Sequence, residues 1–146
     1  MNAVRKTFVF YVSDHGFGHV ARNIPIAAQL VRSTPHEVWM VCGERQTVFA
    51  CANLRKMLTR EELSRVHFRK GKMDVGLIVR PGTLLVDVWA LGDACKAYLD
   101  ELPGRAAAEA EWLCTIGAAA ALCDMPLWSI EACRLANVPL LYCGQF

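Results

Sequence analysis

A chain of 146 residues has the length of a single globular domain, which buries roughly 70% of the surface that the unfolded chain exposes. Its composition, 54% hydrophobic and 21% charged, excludes an intrinsically disordered chain. The formal net charge of +2 is too small to indicate a nucleic-acid partner, and the densest basic stretch, residues 65–72, is interpreted as a solvated strand end and turn.

Nothing in the sequence predicts secretion or membrane insertion. Residues 1–6 lack the apolar core of a signal peptide, and no uninterrupted stretch of about 20 apolar residues follows. The seven cysteines are an odd number without a CxxC pair, and most lie in apolar runs. This pattern is typical of small buried side chains in a reducing compartment rather than of disulfides or a zinc site, so we predict a cytoplasmic protein without an integral membrane segment.

The N-terminal segment organises the rest of the chain. Residues 7–12 are rich in β-branched and aromatic side chains and predict a buried strand. A polar, glycine-rich loop follows at 13–19, and apolar residues at positions 20, 24, 27, 28 and 31 then predict an amphipathic helix. This order favours binding of an anion or a small molecule, because glycines allow a ligand to approach closely and a helix N-terminus presents unpaired N–H groups.

The remaining elements alternate between strands and helices. We predict strands at 36–42, 64–68, 118–123 and 138–143, and helices at 44–57 and 126–136. Residues 71–82 lack periodicity and predict a long loop at the rim of a site. Helical periodicity returns from 87 to 115, where Pro103 predicts two helices or one kinked helix. The order predicts an α/β fold, a Rossmann-like doubly wound parallel sheet in three layers with helices on both faces.

The last residues, 143–146, come just where a buried strand ends. Domains usually close with a polar tail or a docked helix. We therefore expect residues 1–146 to be one half of a larger molecule.

Candidate catalytic groups follow two of the predicted strands, and ligands collect at the carboxyl ends of strands in open α/β sheets. His15 and His19 come after the first strand, and Asp124 follows the strand at 118–123. A carboxylate that accepts from one ring nitrogen orients the imidazole, so that the other nitrogen can take a proton from a hydroxyl. The alternative is structural: a histidine can cap the following helix or bond a carbonyl, and Asp124 can cap the helix that starts at Pro126.

Two further patterns leave alternatives open. Arg22, one turn into the first helix, could reach a phosphate or a substrate carboxylate, or could be a solvated arginine. Residues 16–21 formally match the GxGxxA dinucleotide fingerprint, with Glu44 as the ribose ligand of a nicotinamide-dependent oxidoreductase. That match is weak, because residues 13–15 intervene after the strand and His19 is bulky where pyrophosphate would lie.

The sequence DHGFGHVAR at residues 14–22 resembles the GHGFGHATR-type loop in the glycosyltransferase-like N-terminal domain of L-arabinokinases and of predicted bacterial glycosyltransferases. It is also similar, more remotely, to the glycine-rich loop ending in Gly-His of the lipid II N-acetylglucosaminyltransferase and of UDP-glycosyltransferases. Residues 121–139 look like the segment of those transferases that carries an aspartate and leads into the next strand.

This resemblance implies the N-terminal, acceptor-side, Rossmann-like domain of a GT-B glycosyltransferase, with a donor-binding C-terminal domain outside residues 1–146. In that family, transfer from a nucleotide sugar to a hydroxyl of a small-molecule acceptor needs neither a metal nor another cofactor. His19 matches the catalytic base and Asp124 its partner, which implies transfer with inversion. Residues expected to contact substrate are His15, Gly16, Phe17, Gly18 and Arg22. One departure is the pair Ser13 and Asp14, where relatives often have glycine or threonine.

We retain two alternatives to the glycosyltransferase function. The chain could be a sugar- or nucleotide-recognition module fused to a sugar kinase, or the oxidoreductase domain considered above. Without a donor-binding domain, residues 1–146 are expected to bind acceptor weakly and to transfer nothing.

Overall fold

The computed structural model describes residues 4–144 as one parallel sheet covered by helices. Residues 145 and 146, on which the expectation of a second domain partly rests, lie outside the described residues, as do residues 1–3. The strands are β1 (Thr7–Val12), β2 (Glu37–Cys42), β3 (Val66–Lys70), β4 (Ala118–Asp124) and β5 (Leu140–Tyr142). The helices are α1 (Gly18–Ser33), α2 (Glu44–Met57), α3 (Arg60–Leu63), α4 (Val88–Thr115) and α5 (Leu127–Leu135).

The sheet order is β3-β2-β1-β4-β5, and every neighbouring pair is parallel. This confirms the predicted doubly wound, Rossmann-like sheet. The chain winds outward in one direction from β1 to β3 and returns on the other side through β4 and β5. The carboxyl ends of β1 and β4 therefore border the point where the winding reverses, which is where open α/β sheets bind ligands.

The central strand separates two apolar cores. Phe10 and Val12 of β1 face α1 and α2, whereas Val9 and Tyr11 face α4 and α5, and all four side chains are at most 4% exposed. Because successive side chains of a strand point to opposite faces, a strand that is apolar throughout must be covered on both sides. The three-layer arrangement follows from this pattern.

Several element boundaries differ from the sequence prediction. Helix α1 begins at Gly18 rather than at residue 20, and β3 lies two residues further along the chain than predicted. The last strand, predicted as buried at 138–143, is only three residues long, and Leu141 and Tyr142 are exposed because β5 lies at the edge of the sheet. Helix α3 was not predicted, although Thr59 and Glu62 form a reciprocal capping box at its start. Helix α4 continues through Pro103 as one helix of 28 residues, so of the two alternatives predicted from the sequence, two separate helices is wrong and one helix is right. The buried side chains of α4 all follow Pro103, and Tyr98 and Leu102 before the proline pack against the same core, so tertiary contacts support the helix on both sides of the proline.

Between β3 and α4 the chain forms a long irregular connection, residues 71–87, here called the 71–87 segment. It contains one isolated antiparallel bridge, between Val79 and Val86. This confirms the loop predicted at 71–82. Among the described helices, none combines the length and apolar character needed to cross a membrane.

The prediction that the cysteines are buried is only partly right. Cys95 and Cys114, both on α4, are exposed, because they lie on the part of that helix that faces away from the core. The fully buried thiols belong to Cys42, Cys123 and Cys133. Cys51 and Cys143 are half-buried, and all seven cysteines are free thiols.

Candidate functional site

The loop between β1 and α1, residues 13–17, is fixed by the chain around it. Gly16 has φ = +60°, a left-handed conformation that glycine adopts without steric cost. The side-chain amide of Gln46, in α2, donates to the carbonyl oxygens of Asp14 and Gly16 at 2.8 Å each. The backbone N–H of Ser13 donates to the carbonyl oxygen of Asp124 at 3.0 Å. These bonds tie the loop to α2 on one side and to the end of β4 on the other.

His19 and Asp124 meet at the point where the strand order reverses. Val12, the last residue of β1, lies opposite Asp124 in the parallel ladder, and His19 is the second residue of α1. Nδ1 of His19 is 2.8 Å from Oδ1 of Asp124. The Asp124 side chain is fully buried, whereas the His19 side chain is 18% exposed. The imidazole is therefore the member of the pair that a substrate can reach.

Two further residues of α1 donate to the same carboxylate. Nε of Arg22 lies 2.6 Å from Oδ2 of Asp124, and Nη2 of Arg22 donates to Oδ1. Nδ2 of Asn23 lies 2.7 Å from Oδ2 and 2.8 Å from the carbonyl oxygen of His19. Because residues three and four apart share a face of a helix, His19, Arg22 and Asn23 all reach β4 from one side of α1.

The groups that surround Asp124 determine which nitrogen of His19 donates to it. Burial alone would raise the pKa of Asp124, but hydrogen bonds from Arg22 and His19 hold it below its usual value. An ionised carboxylate only accepts, so Nδ1 of His19 is the donor in this bond, and in the neutral imidazole Nε2 carries the lone pair. Nη2 of Arg22 is 3.1 Å from Nδ1, but both groups are donors, so both point at Asp124 rather than at each other. Within residues 4–144, Nε2 has no hydrogen-bond partner and can accept a proton from a hydroxyl.

His19 and Asp124 do not have the structural role that the sequence left open, whereas His15 does, because it bonds the carbonyl oxygen of Val75. Phe17 occupies the N-cap position of α1 and Pro126 that of α5, and neither helix has a side-chain cap. His19 and Asp124 therefore cap no helix. The catalytic roles of the two residues remain a prediction.

His15 belongs to a different cluster and does not bond Asp124. Its Nε2 lies 2.6 Å from the carbonyl oxygen of Val75 and 3.3 Å from Oδ1 of Asp74, both in the 71–87 segment. The side chain is 40% exposed and lines a cleft of about 360 Å³. Of the two candidate histidines, the structure brings only His19 to the carboxylate.

This cleft, here called the apolar cleft, lies between the 71–87 segment, α4 and the ends of β4 and β5. Its walls are mainly apolar and aromatic and include Tyr98, Leu99, Met125, Leu127 and Tyr142. Two chain connections place this cleft beside the His19–Asp124 pair. Met125 directly follows Asp124, and Cys143, which follows Tyr142, accepts from Nη2 of Arg22 through its carbonyl oxygen at 3.4 Å. The apolar cleft and the His19–Asp124 pair thus share the same edge of the sheet.

The other predicted contact residues flank the start of α1. A Cβ built on Gly16 or Gly18 would meet no atom within 4 Å, so the space beside both glycines is open. The Phe17 ring is 39% exposed, packs against Phe49 with centroids 5.0 Å apart, and lies 5.7 Å from the guanidinium of Arg45. Substrate contact by these residues stays a prediction.

Glu44, the proposed ribose ligand of the dinucleotide alternative, begins α2 close to this loop. Its carboxylate is 76% exposed and lies 3.0 Å from Nζ of Lys70. A solvated ion pair explains this residue without a cofactor.

Three residues of the site were missed by the sequence analysis. Asn23 is a polar residue within the buried stripe of α1, one turn after His19, and that position is a signal that could have identified it. Gln46 and Asp74 carry no comparable signal, because their partners lie on other elements far along the chain.

No protein-family model and no curated protein matches this chain. Solved structures do match it over nearly its whole length. Phytolacca americana UGT2 complexed with UDP-2-fluoro-glucose and pterostilbene has a TM-score of 0.58 and 17% identity, with 99% of this chain and 31% of that chain covered. CalG4, the calicheamicin glycosyltransferase, has a TM-score of 0.59 and 16% identity, with 96% and 32% covered. Acinetobacter baumannii MurG has a TM-score of 0.55 and 10% identity, with 97% and 35% covered.

The chain thus spans about a third of the length of these structures. At such low identity the likeness concerns the fold and carries no residue roles. Together with the doubly wound sheet, it shows that the chain has the fold of a GT-B glycosyltransferase-like domain.

Proposed function

We propose that this chain is the N-terminal, acceptor-side domain of an inverting, metal-independent glycosyltransferase. The observation that carries the proposal is the contact of His19 with the buried carboxylate of Asp124 at the carboxyl edge of the sheet. It leaves one imidazole nitrogen able to accept a proton in a place where open α/β sheets bind ligands. The metal independence rests on the resemblance of residues 14–22 to the family loop.

In the proposed reaction, Nε2 of His19 takes the proton of an acceptor hydroxyl. The acceptor oxygen forms a bond to the anomeric carbon of a nucleotide sugar, and the bond from that carbon to the diphosphate oxygen breaks. The electron pair leaves with the nucleoside diphosphate, and attack from the opposite face inverts the anomeric centre. Asp124 stabilises the imidazolium through the bond to Nδ1.

Arg22 and Asn23 are proposed to hold the Asp124 carboxylate in place. The guanidinium of Arg22 donates twice to Asp124, which leaves it poorly placed to bind a phosphate or a substrate carboxylate. Its contribution is then to the orientation of the base rather than to direct contact with substrate.

The apolar cleft is the proposed acceptor site. It shares the edge of the sheet with His19, and His15 and the β1–α1 loop form its border on that side. A neighbouring structure holds UDP-2-fluoro-glucose together with pterostilbene, which supports a nucleotide-sugar donor and a small hydroxyl acceptor here. The donor would be bound by a further domain, since the chain spans only a third of that neighbour. We place the reaction in the cytoplasm.

The test supplies the full-length gene product with UDP-, dTDP- or GDP-linked sugars and with small acceptors that carry hydroxyl groups. The rate at which nucleoside diphosphate is released is measured. The His19→Ala variant should lose about 100- to 10,000-fold in rate, because a general base supplies about that factor. The control is His36→Ala, since His36 lies at the opposite, amino edge of the sheet, beside the start of β2. Circular dichroism establishes that both variants fold.

A native rate in His19→Ala, or no consumption of any nucleotide sugar by the native protein, overturns the proposal. The gene sequence beyond residue 146 separates it from the kinase alternative. A second Rossmann-like domain supports the glycosyltransferase, whereas a sugar-kinase phosphate loop and ATP-dependent sugar phosphorylation support the recognition module.

A further inference from the structure

A second cluster of ionisable groups borders the apolar cleft, and its members take no part in the proposed proton transfer. It joins Asp14 and His15 of the β1–α1 loop to Asp74 of the 71–87 segment, and one polar side-chain atom of each lies within 4.8 Å of the others. The backbone N–H of Met73 donates to Oδ2 of Asp14 at 3.2 Å. The cluster is therefore the place where the 71–87 segment is fastened to the loop that leads to His19.

One oxygen of this cluster is left without a donor. Oδ1 of Asp74 is buried and has no hydrogen-bond partner within the described residues. His15 is 3.3 Å away, but its Nε2 proton is already used on the carbonyl oxygen of Val75 at 2.6 Å. A buried carboxylate oxygen without a donor is costly, and the simplest remedy for two neighbouring carboxyl groups is to share one proton.

The bond from Met73 decides which of the two carboxyl groups is ionised. Asp14 accepts from a backbone N–H, which favours its charged form. Asp74 receives no such bond on Oδ1, so of the two carboxyl groups it is the one for which the environment favours the protonated form.

We propose that this shared proton fastens the 71–87 segment against the β1–α1 loop, and that its loss from Asp74 releases residues 73–76 and loosens one wall of the apolar cleft. In the closed state the His15 ring lies against Gly76 so tightly that a Cβ there would be 2.6 Å from Cε1. Release therefore moves His15 and Val75, which both line the cleft.

The charges around Asp74 agree with this assignment. Burial and the hydrogen bond with Asp14 raise the pKa of Asp74 to about 6 against the opposing effect of a hydrogen bond from the Ser13 side chain. Burial would also raise the pKa of Asp14, but hydrogen bonds from Asp74 and Met73 hold it below its usual value. Two groups of α4 face the cluster. The Tyr98 hydroxyl interacts with Asp74, and the Arg105 guanidinium interacts with Asp14. His15 is the nearest cationic group when it is protonated, and its effect opposes that of burial.

The sign and size of the effect follow from linkage. A carboxyl group whose pKa is raised in the closed state stabilises that state below its pKa and ceases to do so as the pH rises through it. With a closed-state value of about 6 and an open-state value near 3.8, the opening equilibrium increases about tenfold between pH 5 and pH 8.

The consequence for acceptor binding rests on the proposed function, whereas the release itself does not. The experiment therefore measures the segment and not sugar transfer. Two protons report on it: the Met73 amide, bonded to Asp14, and the indole N–H of the buried Trp128, which donates to the carbonyl oxygen of Met73 at 2.7 Å. Hydrogen exchange of both protons is followed by NMR from pH 5 to pH 8 in the presence of EDTA, and rates are corrected for intrinsic exchange.

We expect the protection factors of the two reporters to fall about tenfold across this range in the native chain. In the Asp74→Asn variant both reporter protons should stay protected at pH 5 and at pH 8, because the side-chain amide of asparagine donates to Asp14 without titrating. The Asp93→Asn variant is the control, since Asp93 is exposed on α4 and should leave the native response unchanged. Carbon-13 NMR of the native aspartates provides a measurement independent of variant folding and should show Asp74 titrating near pH 6.

The proposal is overturned by protection that does not change with pH in the native chain, by the native fall retained in Asp74→Asn, or by an Asp74 carboxyl that titrates near pH 4. A response that appears only without EDTA also overturns it, because a bound metal ion and not a proton would then fasten the segment.

Discussion

The carboxylate of Asp124 offers the sharpest test of the site, because one side chain holds together three others. The Asp124→Ala substitution removes the acceptor of hydrogen bonds from His19, Arg22 and Asn23. It leaves the Asn23 amide, only 1% exposed, with the His19 carbonyl oxygen as its remaining partner. The Arg22 guanidinium is left without its counter-charge but keeps 31% of its side chain exposed.

Breaking a buried ion pair by removing one partner costs about 3–5 kcal/mol, because the other charge stays behind uncompensated. Water can solvate part of the Arg22 side chain, so we expect the lower end, about 3 kcal/mol of unfolding free energy. Arg22→Ala leaves the fully buried Asp124 with His19 and Asn23 alone and should cost a similar amount. The double variant should then lose about 2 kcal/mol less unfolding free energy than the two single variants lose together, because groups in one network are typically coupled by about that amount.

Urea unfolding of the chain, followed by circular dichroism, measures all three variants. The control is Glu131→Ala, whose carboxylate also pairs with an arginine, Arg134, but on an exposed helix face, and whose loss should not change stability measurably. The pKa of Asp124 lies below its usual value, so its contribution is present above about pH 4 and is lost as the pH falls further. The gap between native and Asp124→Ala should close in that acidic range. A loss below about 1 kcal/mol at pH 7, or strictly additive single variants, would refute a buried network at this position.

Two further predictions concern packing and thiol reactivity. Gly76→Ala should lose at most about 1 kcal/mol, because the new Cβ would lie 2.6 Å from Cε1 of His15 and the partly exposed ring has to move aside. Gly92→Ala on the open face of α4 should instead gain about 0.5–1 kcal/mol. Urea unfolding measures both changes, and equal effects would contradict the contact. Labelling of the native chain with a thiol reagent, followed by peptide mass spectrometry, should modify Cys95 and Cys114 first, because both are exposed. Burial raises the pKa of the thiols at Cys123 and Cys133 to about 11 and about 12, so labelling of either at the rate of Cys95 would contradict the packing.

The fold was largely readable from local patterns. The apolar run of β1 predicted a strand covered on both faces, and the stripe in α1 predicted a helix with one buried side. Alternation of strands and helices then predicted the parallel sheet, because parallel neighbours need a crossover between them. Local patterns did not decide the outcome where packing competes with propensity, as in α4, for which Pro103 predicted either two helices or one kinked helix and the structure has one.

The candidate site was readable only in part. Asp124 was identified because it directly follows a predicted strand, and His15 and His19 because they lie in the loop after another, since strand ends meet at one edge of a parallel sheet. The choice of His19 as the base came from the family resemblance. Reasoning from strand ends could not separate His15 from His19, since both follow the same strand. It also could not predict that the guanidinium of Arg22 binds Asp124, because a helical periodicity says which face is buried but not which distant group lies opposite.

By itself, then, the sequence determined the order of the elements, the two-sided burial of the central strands and the edge at which polar groups collect, because these follow from periodicity and from the chirality of strand connections. Only the tertiary structure decided which side chains bond: His19 with a carboxylate 105 residues away, and Asp14 with the 71–87 segment. The physical reason is that hydrogen bonds and shared protons depend on positions within a few tenths of an ångström, which the register of β1 against β4 and the packing of α1 set together.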